Sequence, residues 1–150
     1  IVYPTGHVIQ VVSAIDDSKI ANTTDGSNVT CPPSCDITPS STSSKVLIMI
    51  SGWLGKSNLN GGFKLKRNGT SVADKSTSIG SGFMLQDDSP VATEHGIQSF
   101  VWNYLDTPSL DTSITYLLTT DSSTTIYWNR STLQADVCGY STMTLMEIKG

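Results

Sequence analysis

The sequence predicts an all-β domain, an antiparallel β-sandwich of about eight to ten short strands. Three observations carry this expectation. Val, Ile and Thr together fill 41 of 150 positions against five Ala and two Glu; branched side chains suit a pleated surface, and the strongest helix formers are scarce. Apolar residues come in short alternating runs bounded by Gly, Pro, Asn and Asp, which is strand punctuation rather than the thin apolar spread of a disordered chain. The length of 150 residues supports one domain with a real core and leaves little room for two.

The elements follow in order. Gly6 to Ile15 (GHVIQVVSAI) reads as the first strand, with Val8, Gln10 and Val12 on one face. Asp16 to Ser34 is polar and turn-rich, with Asp25-Gly26 as a tight turn. In Lys45 to Trp53 both faces are apolar, the pattern of a central strand buried on both sides. A Gly- and Asn-rich loop is expected over Gly52 to Gly62. Phe63 to Arg67 then alternates strictly, Phe63 and Leu65 inward, Lys64 and Lys66 outward, and Asn68-Gly69 turns the chain into Thr70 to Ala73. A strand near Gly82 to Leu85 interrupts the polar stretch Asp74 to Gly96. In Ile97 to Leu105, Phe100, Trp102 and Tyr104 share one face and Ile97, Val101 and Leu105 the other, more apolar surface than one sandwich face requires. Ser113 to Thr120 and Thr124 to Trp128 form a hairpin-like pair. Thr142 to Ile148 closes the domain with Met143, Leu145 and Glu147 on one side.

Charge narrows the function. The net charge is −4, charged residues make up 15%, and no Lys/Arg cluster exists to neutralise phosphates, which argues against nucleic acid as a partner. The longest apolar run, Val46 to Ile50, is far too short to span a bilayer. The three cysteines do not make a zinc pattern. Cys31 and Cys35 bracket Pro32-Pro33-Ser34 and read either as a small disulfide-closed loop or as two thiols in an exposed loop; Cys138 reads as a buried or half-buried thiol.

Catalytic constellations are weak. Gly55-Lys56-Ser57 imitates a phosphate loop, but the required upstream glycine is replaced by Ile50. His7 and His95 lack a nucleophile elbow, Glu94 lacks a partnering carboxylate, and Glu147 reads as an edge or interface charge. Asp16-Asp17 and Asp87-Asp88 lack calcium-loop spacing. The expectation is a non-enzyme with no cofactor and no metal. Asn22, Asn28, Asn68 and Asn129 each begin a glycosylation triplet. Trp53, Trp128 and Tyr140 are candidate receptor-contact aromatics, since rings beside Asn and Asp suit sugar stacking.

Together, the segments GHVIQVVSA, ITPSSTSSKVLIMISG, FKLKRNGTSVA, SFVWNYLDTPSLDTSITYLL and STMTLMEIKG resemble the C-terminal domain of bacteriophage tail-fibre or head-fibre structural proteins. The Pro39-to-Lys45 stretch and the turn at Leu105-Asp106 to Pro108 are its most distinctive parts. The resemblance covers more than half of the chain and implies a jelly-roll-like sandwich assembled as a homotrimer. It implies that residues 1–150 form one domain from the C-terminal part of a longer fibre protein, exposed on the virion. The function so implied is attachment to a host-surface glycan or protein; the alternatives are a capsid decoration protein and, more remotely, a surface-polysaccharide depolymerase. Its partners would be further copies of itself, other virion proteins and the host receptor. Phe100, Trp102 and Tyr104, or the residues opposite them, are then expected near the trimer interface.

Overall fold

In a computed structural model the chain is described at residues 3–22, 29–56, 60–73, 83–86, 97–122, 126–131, 136 and 138–150, with backbone alone at 22, 56, 60–62, 83–86 and 121–122. Period-two alternation sets most of the strands. They are β1 (Val8–Asp16), β2 (Ile20–Asn22), β3 (Thr30–Ile37), β4 (Lys45–Lys56), β5 (Asn60–Arg67), β6 (Thr70–Ala73), β7 (Phe83–Gln86), β8 (Gln98–Asp106), β9 (Ile114–Ser122), β10 (Ile126–Trp128) and β11 (Ser141–Ile148).

All pairings between these strands are antiparallel, and they form two sheets. In the first, β1 and β2 succeed one another along one edge, β11 and β10 occupy the next row, then comes β4, and β8 forms the other edge. In the second, the order is β3, β9, β5, with β6 and β7 sharing the last row. Each sheet is therefore four strands wide. The chain passes from sheet to sheet at every step between rows except from β5 to β6 and β7. This is the connectivity of a jelly roll, the architecture in which antiparallel strands close two sheets over one core.

The core lies between the sheets. Val46, Ile48 and Ile50 of β4, Met143 and Leu145 of β11, Phe63 and Leu65 of β5, and Ile114, Tyr116 and Leu118 of β9 are all buried. Phe63 and Phe100 stack across the gap with ring centroids 5.7 Å apart, and Trp128 tilts against both at 5.6 and 5.5 Å. Gly52 makes room for this trio, because a Cβ there would sit 2.8 Å from the Phe100 ring. Asn68 and Gly69 both take positive φ, 49° and 83°, as a tight hairpin requires.

Four expectations change. The segment around Cys31 to Cys35 is not a loop but strand β3. Its inward positions are Cys31, Pro33, Cys35 and Ile37, and an irregularity in register between Cys31 and Cys35 takes up the Pro32-Pro33 pair, which cannot donate to the ladder. The loop expected from Gly52 largely disappears: β4 continues to Lys56 and β5 begins at Asn60. The segments expected to pair as a hairpin, β9 and β10, belong to opposite sheets. Only one face of β4 is buried, since Leu47 is half-buried and Met49 exposed on the other.

Candidate functional site

The exposed chemistry of the described residues gathers at one pole and on one face. At the pole, β1 ends at Asp16 opposite Ser141, the start of β11, and β4 runs past its pairing with β11 to Trp53. Asn129 follows β10 with a φ of 55°, and its backbone N–H donates to Trp53 O at 2.8 Å. Its amide Nδ2 donates to Asp16 O at 3.1 Å and to Ser141 Oγ at 2.9 Å, so one buried side chain fixes where these strand ends meet. The Oδ1 of Asn129 has no partner among the described residues.

Trp53 lies flat enough on Gly139 that a Cβ there would overlap its ring. Tyr140 follows directly and is 56% exposed, while Trp53 is 37% exposed. Ile15, Asp16, Asp17 and Tyr140 line an open cleft of about 340 Å3. Asp16 accepts the Ser18 N–H at 2.7 Å, holding the turn, and Asp17 is exposed. An exposed ring beside carboxylates can stack on the apolar face of a sugar and accept from its hydroxyls. Trp53 and Tyr140 are thus placed where a ligand can reach them. Trp128 is not: it is 1% exposed, and its indole N–H donates into the interior, to Pro32 O at 2.8 Å and Ser141 Oγ at 3.1 Å.

The middle of the first sheet's outer face is uncharged over three register rows, with Lys45 beyond them at the Ile148 end. One register row runs Val11, Met146, Leu47, Leu105. Two residues further along each strand, the parallel row runs Ser13, Thr144, Met49, Asn103, and the next Ile15, Thr142, Ser51, Val101. Phe100, Trp102 and Tyr104, expected at a subunit interface, point the other way. Phe100 is in the core, Trp102 and Tyr104 pack against it, and Tyr104 donates its hydroxyl to Val72 O at 2.8 Å. The apolar side chains left outside on β8 are those opposite the aromatics, Val101 and Leu105.

Two buried polar clusters escaped the sequence reading. Glu147 is not an edge charge. It lies on β11, flanked by β1 and β4, is 0% exposed, and accepts from Ser44 Oγ at 2.6 Å and from Ser40 N, Ser40 Oγ and Gln10 Nε2 at 2.7 Å each. Burial pushes its carboxyl up, but these donors outweigh that and hold it below the usual carboxylate range. Asp106, at the end of β8, accepts from Arg67 of β5 at 2.8 Å and from the Tyr116 hydroxyl of β9 at 2.6 Å, tying the sheets together. Burial, and after it Asp106, push the Tyr116 phenol well up. The sequence signal for both was a lone carboxylate on an inward strand position, which requires donors.

Cys31 and Cys35 are free thiols buried in β3 rather than a disulfide-closed or exposed loop, and Cys138 is exposed rather than buried, beyond the inner faces of the sheets. Between them the register with β9 is irregular, Cys31 standing opposite Leu118 and Cys35 opposite Tyr116. Burial raises both of these thiols, the adjacent Asp36 adding to the effect at Cys35. Asn129 is buried and engaged, so its triplet is closed to glycosylation in the folded domain, whereas Asn68 is exposed in its turn. Gly55-Lys56 lies on β4. Asp25-Gly26, Asn28, Asp87-Asp88, Glu94 and His95 lie outside the described residues, as does the Asn22 side chain.

No family model and no curated protein matches this chain. Among solved structures it is similar to part of a chain in the structure of infectious bursal disease virus Gt strain, at 13% identity over 95% of this chain and 39% of that one, with a TM-score of 0.44. It is also similar to part of the infectious bursal disease virus VP2 subviral particle (14%, 94% and 37%, TM-score 0.42). A third likeness is to dimeric latent PorU from Porphyromonas gingivalis (7%, 97% and 13%, TM-score 0.47). The chain spans less than two-fifths of the length of each of these.

Proposed function

We propose that this chain is a non-enzymatic virion component, a homotrimeric fibre-tip domain that attaches to a glycan on the host surface. The observation that carries the reading is the aromatic and acidic cleft at one pole. Tyr140 stands beside Asp16 and Asp17, and Trp53 lies against the adjacent Gly139, at the end of the sandwich away from residues 7 and 149, which pair at the other end. A tether at that other end leaves the cleft facing outward. The jelly-roll connectivity, implied by the resemblance to fibre domains, supports the same reading; fold alone does not assign function.

Glycan-array binding of the intact chain tests it, with Trp53→Ala and Tyr140→Ala as controls. Binding lost in both variants, with the β-sheet circular dichroism unchanged, supports the attachment role. No binding by the wild-type chain removes glycan as the receptor class. The uncharged middle rows of the first sheet's outer face favour a second reading, a decoration protein seated on a capsid. Immunolabelled particles separate the two readings: signal at fibre ends supports the first, and signal spread over the head supports the second.

A further inference from the structure

We infer that the outer face of the first sheet, formed by β1, β11, β4 and β8, is the surface through which three copies of this chain assemble, with the β8 rim of one copy against the β1 rim of the next. The inference rests on the reading of the chain as a self-assembling domain and names the surface that does it.

Four observations carry it. The most exposed apolar side chains of the face stand on its two opposite edge strands, Ile15 at 66% and Val11 at 53% on β1, Val101 at 65% and Leu105 at 49% on β8. A contact joining unlike rims is head-to-tail, the kind that closes into a ring. Secondly, the hydroxyls in the middle pair across strands, Ser51 with Thr142 at 2.8 Å and Ser13 with Thr144 at 3.2 Å, so each pair leaves one O–H rather than two for a partner copy to meet.

Charge is the third. The chain carries −4 overall, yet the three register rows from β1 to β8 hold no ionisable side chain. Acidic copies can therefore meet here without opposing carboxylates. Lys45 stands beyond these rows, at the Ile148 end of the face, whereas the outer face of the second sheet carries Lys64 and Lys66 on β5 and Asp36 on β3.

Width is the fourth. Four strands make a wall about 19 Å across, and three such walls set on a triangle place its centre about 5.5 Å from each, close to half the roughly 10 Å at which sheet faces pack. Three copies therefore fill the middle with side chains and leave no channel.

The test is a disulfide between rims. Ile15 and Val101 lie in one register row, three strand spacings or about 14 Å apart, beyond the reach of a bond within one copy. The full chain carrying Ile15→Cys and Val101→Cys, with the exposed thiol removed by Cys138→Ser, is oxidised and run without reductant. Covalent trimers from the double variant, with each single variant uncrosslinked, are the expected result. Dimers from Ile15→Cys alone mean a twofold contact and overturn the ring. Monomers on the gel, from a wild-type protein that sediments as a trimer, overturn this surface while leaving the trimer intact. A wild-type protein that sediments as a monomer removes self-assembly itself.

Discussion

Ser44 donates its hydroxyl to Oε1 of Glu147 at 2.6 Å, from a loop to the middle of a sheet. With Ser40 giving two further bonds to the same oxygen, the carboxylate fastens the segment from Pro39 to Lys45 onto β11. Glu147→Gln replaces an acceptor with a group whose NH2 faces donors, and the expected loss is about 2–3 kcal/mol in denaturant unfolding. An unchanged midpoint would mean that the cage contributes nothing.

The same carboxylate makes stability depend on pH. Its folded-state affinity for protons lies below the ordinary value of 4.5, so its contribution is fully present above pH 4.5 and drains away as pH falls through the folded value. The wild-type midpoint should drop on acidification more steeply than that of Glu147→Gln. Parallel curves for the two proteins would place the acid-sensitive group elsewhere.

Tyr116→Phe removes the phenol from Asp106 while Arg67 remains, and should cost about 1–2 kcal/mol. Arg67→Ala combined with Tyr116→Phe should cost measurably more or less than the sum of the single changes, since both donors share Oδ2 of Asp106. A strictly additive double-mutant cycle would refute the coupling.

Thiol reactivity separates the cysteines. In native conditions a disulfide-exchange reagent should titrate one thiol, Cys138, while Cys31 and Cys35 react only on unfolding, because both are buried and burial raises them. Two fast thiols in the native protein would contradict the placement of β3.

Gly139→Ala puts a methyl into the Trp53 ring and should swing the indole out with little effect on folding. The readout is a shift in tryptophan emission together with weaker glycan binding; binding at wild-type strength with a shifted emission would separate the ring from recognition.

Much of the architecture was legible because alternation is a local signal. Phe63-Lys64-Leu65-Lys66 points in and out as its pattern dictates, and Asn68-Gly69 turns where its backbone preferences allow. Burial of Met143 and Leu145 followed from the same rule. What failed was non-local. Strand β3 was hidden by Pro32 and Pro33, which remove ladder donors but leave inward side chains free to pack. The aromatic face of β8 was read as surplus, although Phe63 and Trp128 from other strands were waiting to cover Phe100. The position of Glu147 inside the molecule depended on Ser40, Ser44 and Gln10 converging from far along the chain, which no window of sequence displays.

The antiparallel pairing of β1 with β11 sets His7 and Lys149 side by side, the N–H of Lys149 donating to His7 O at 2.8 Å and that of Gly6 to Lys149 O at the same distance. A short peptide bridging these two points would span almost no gap. A new opening cut at the exposed Asn68-Gly69 turn should then yield a circularly permuted chain with the same sheets and an undisturbed Trp53–Tyr140 pole.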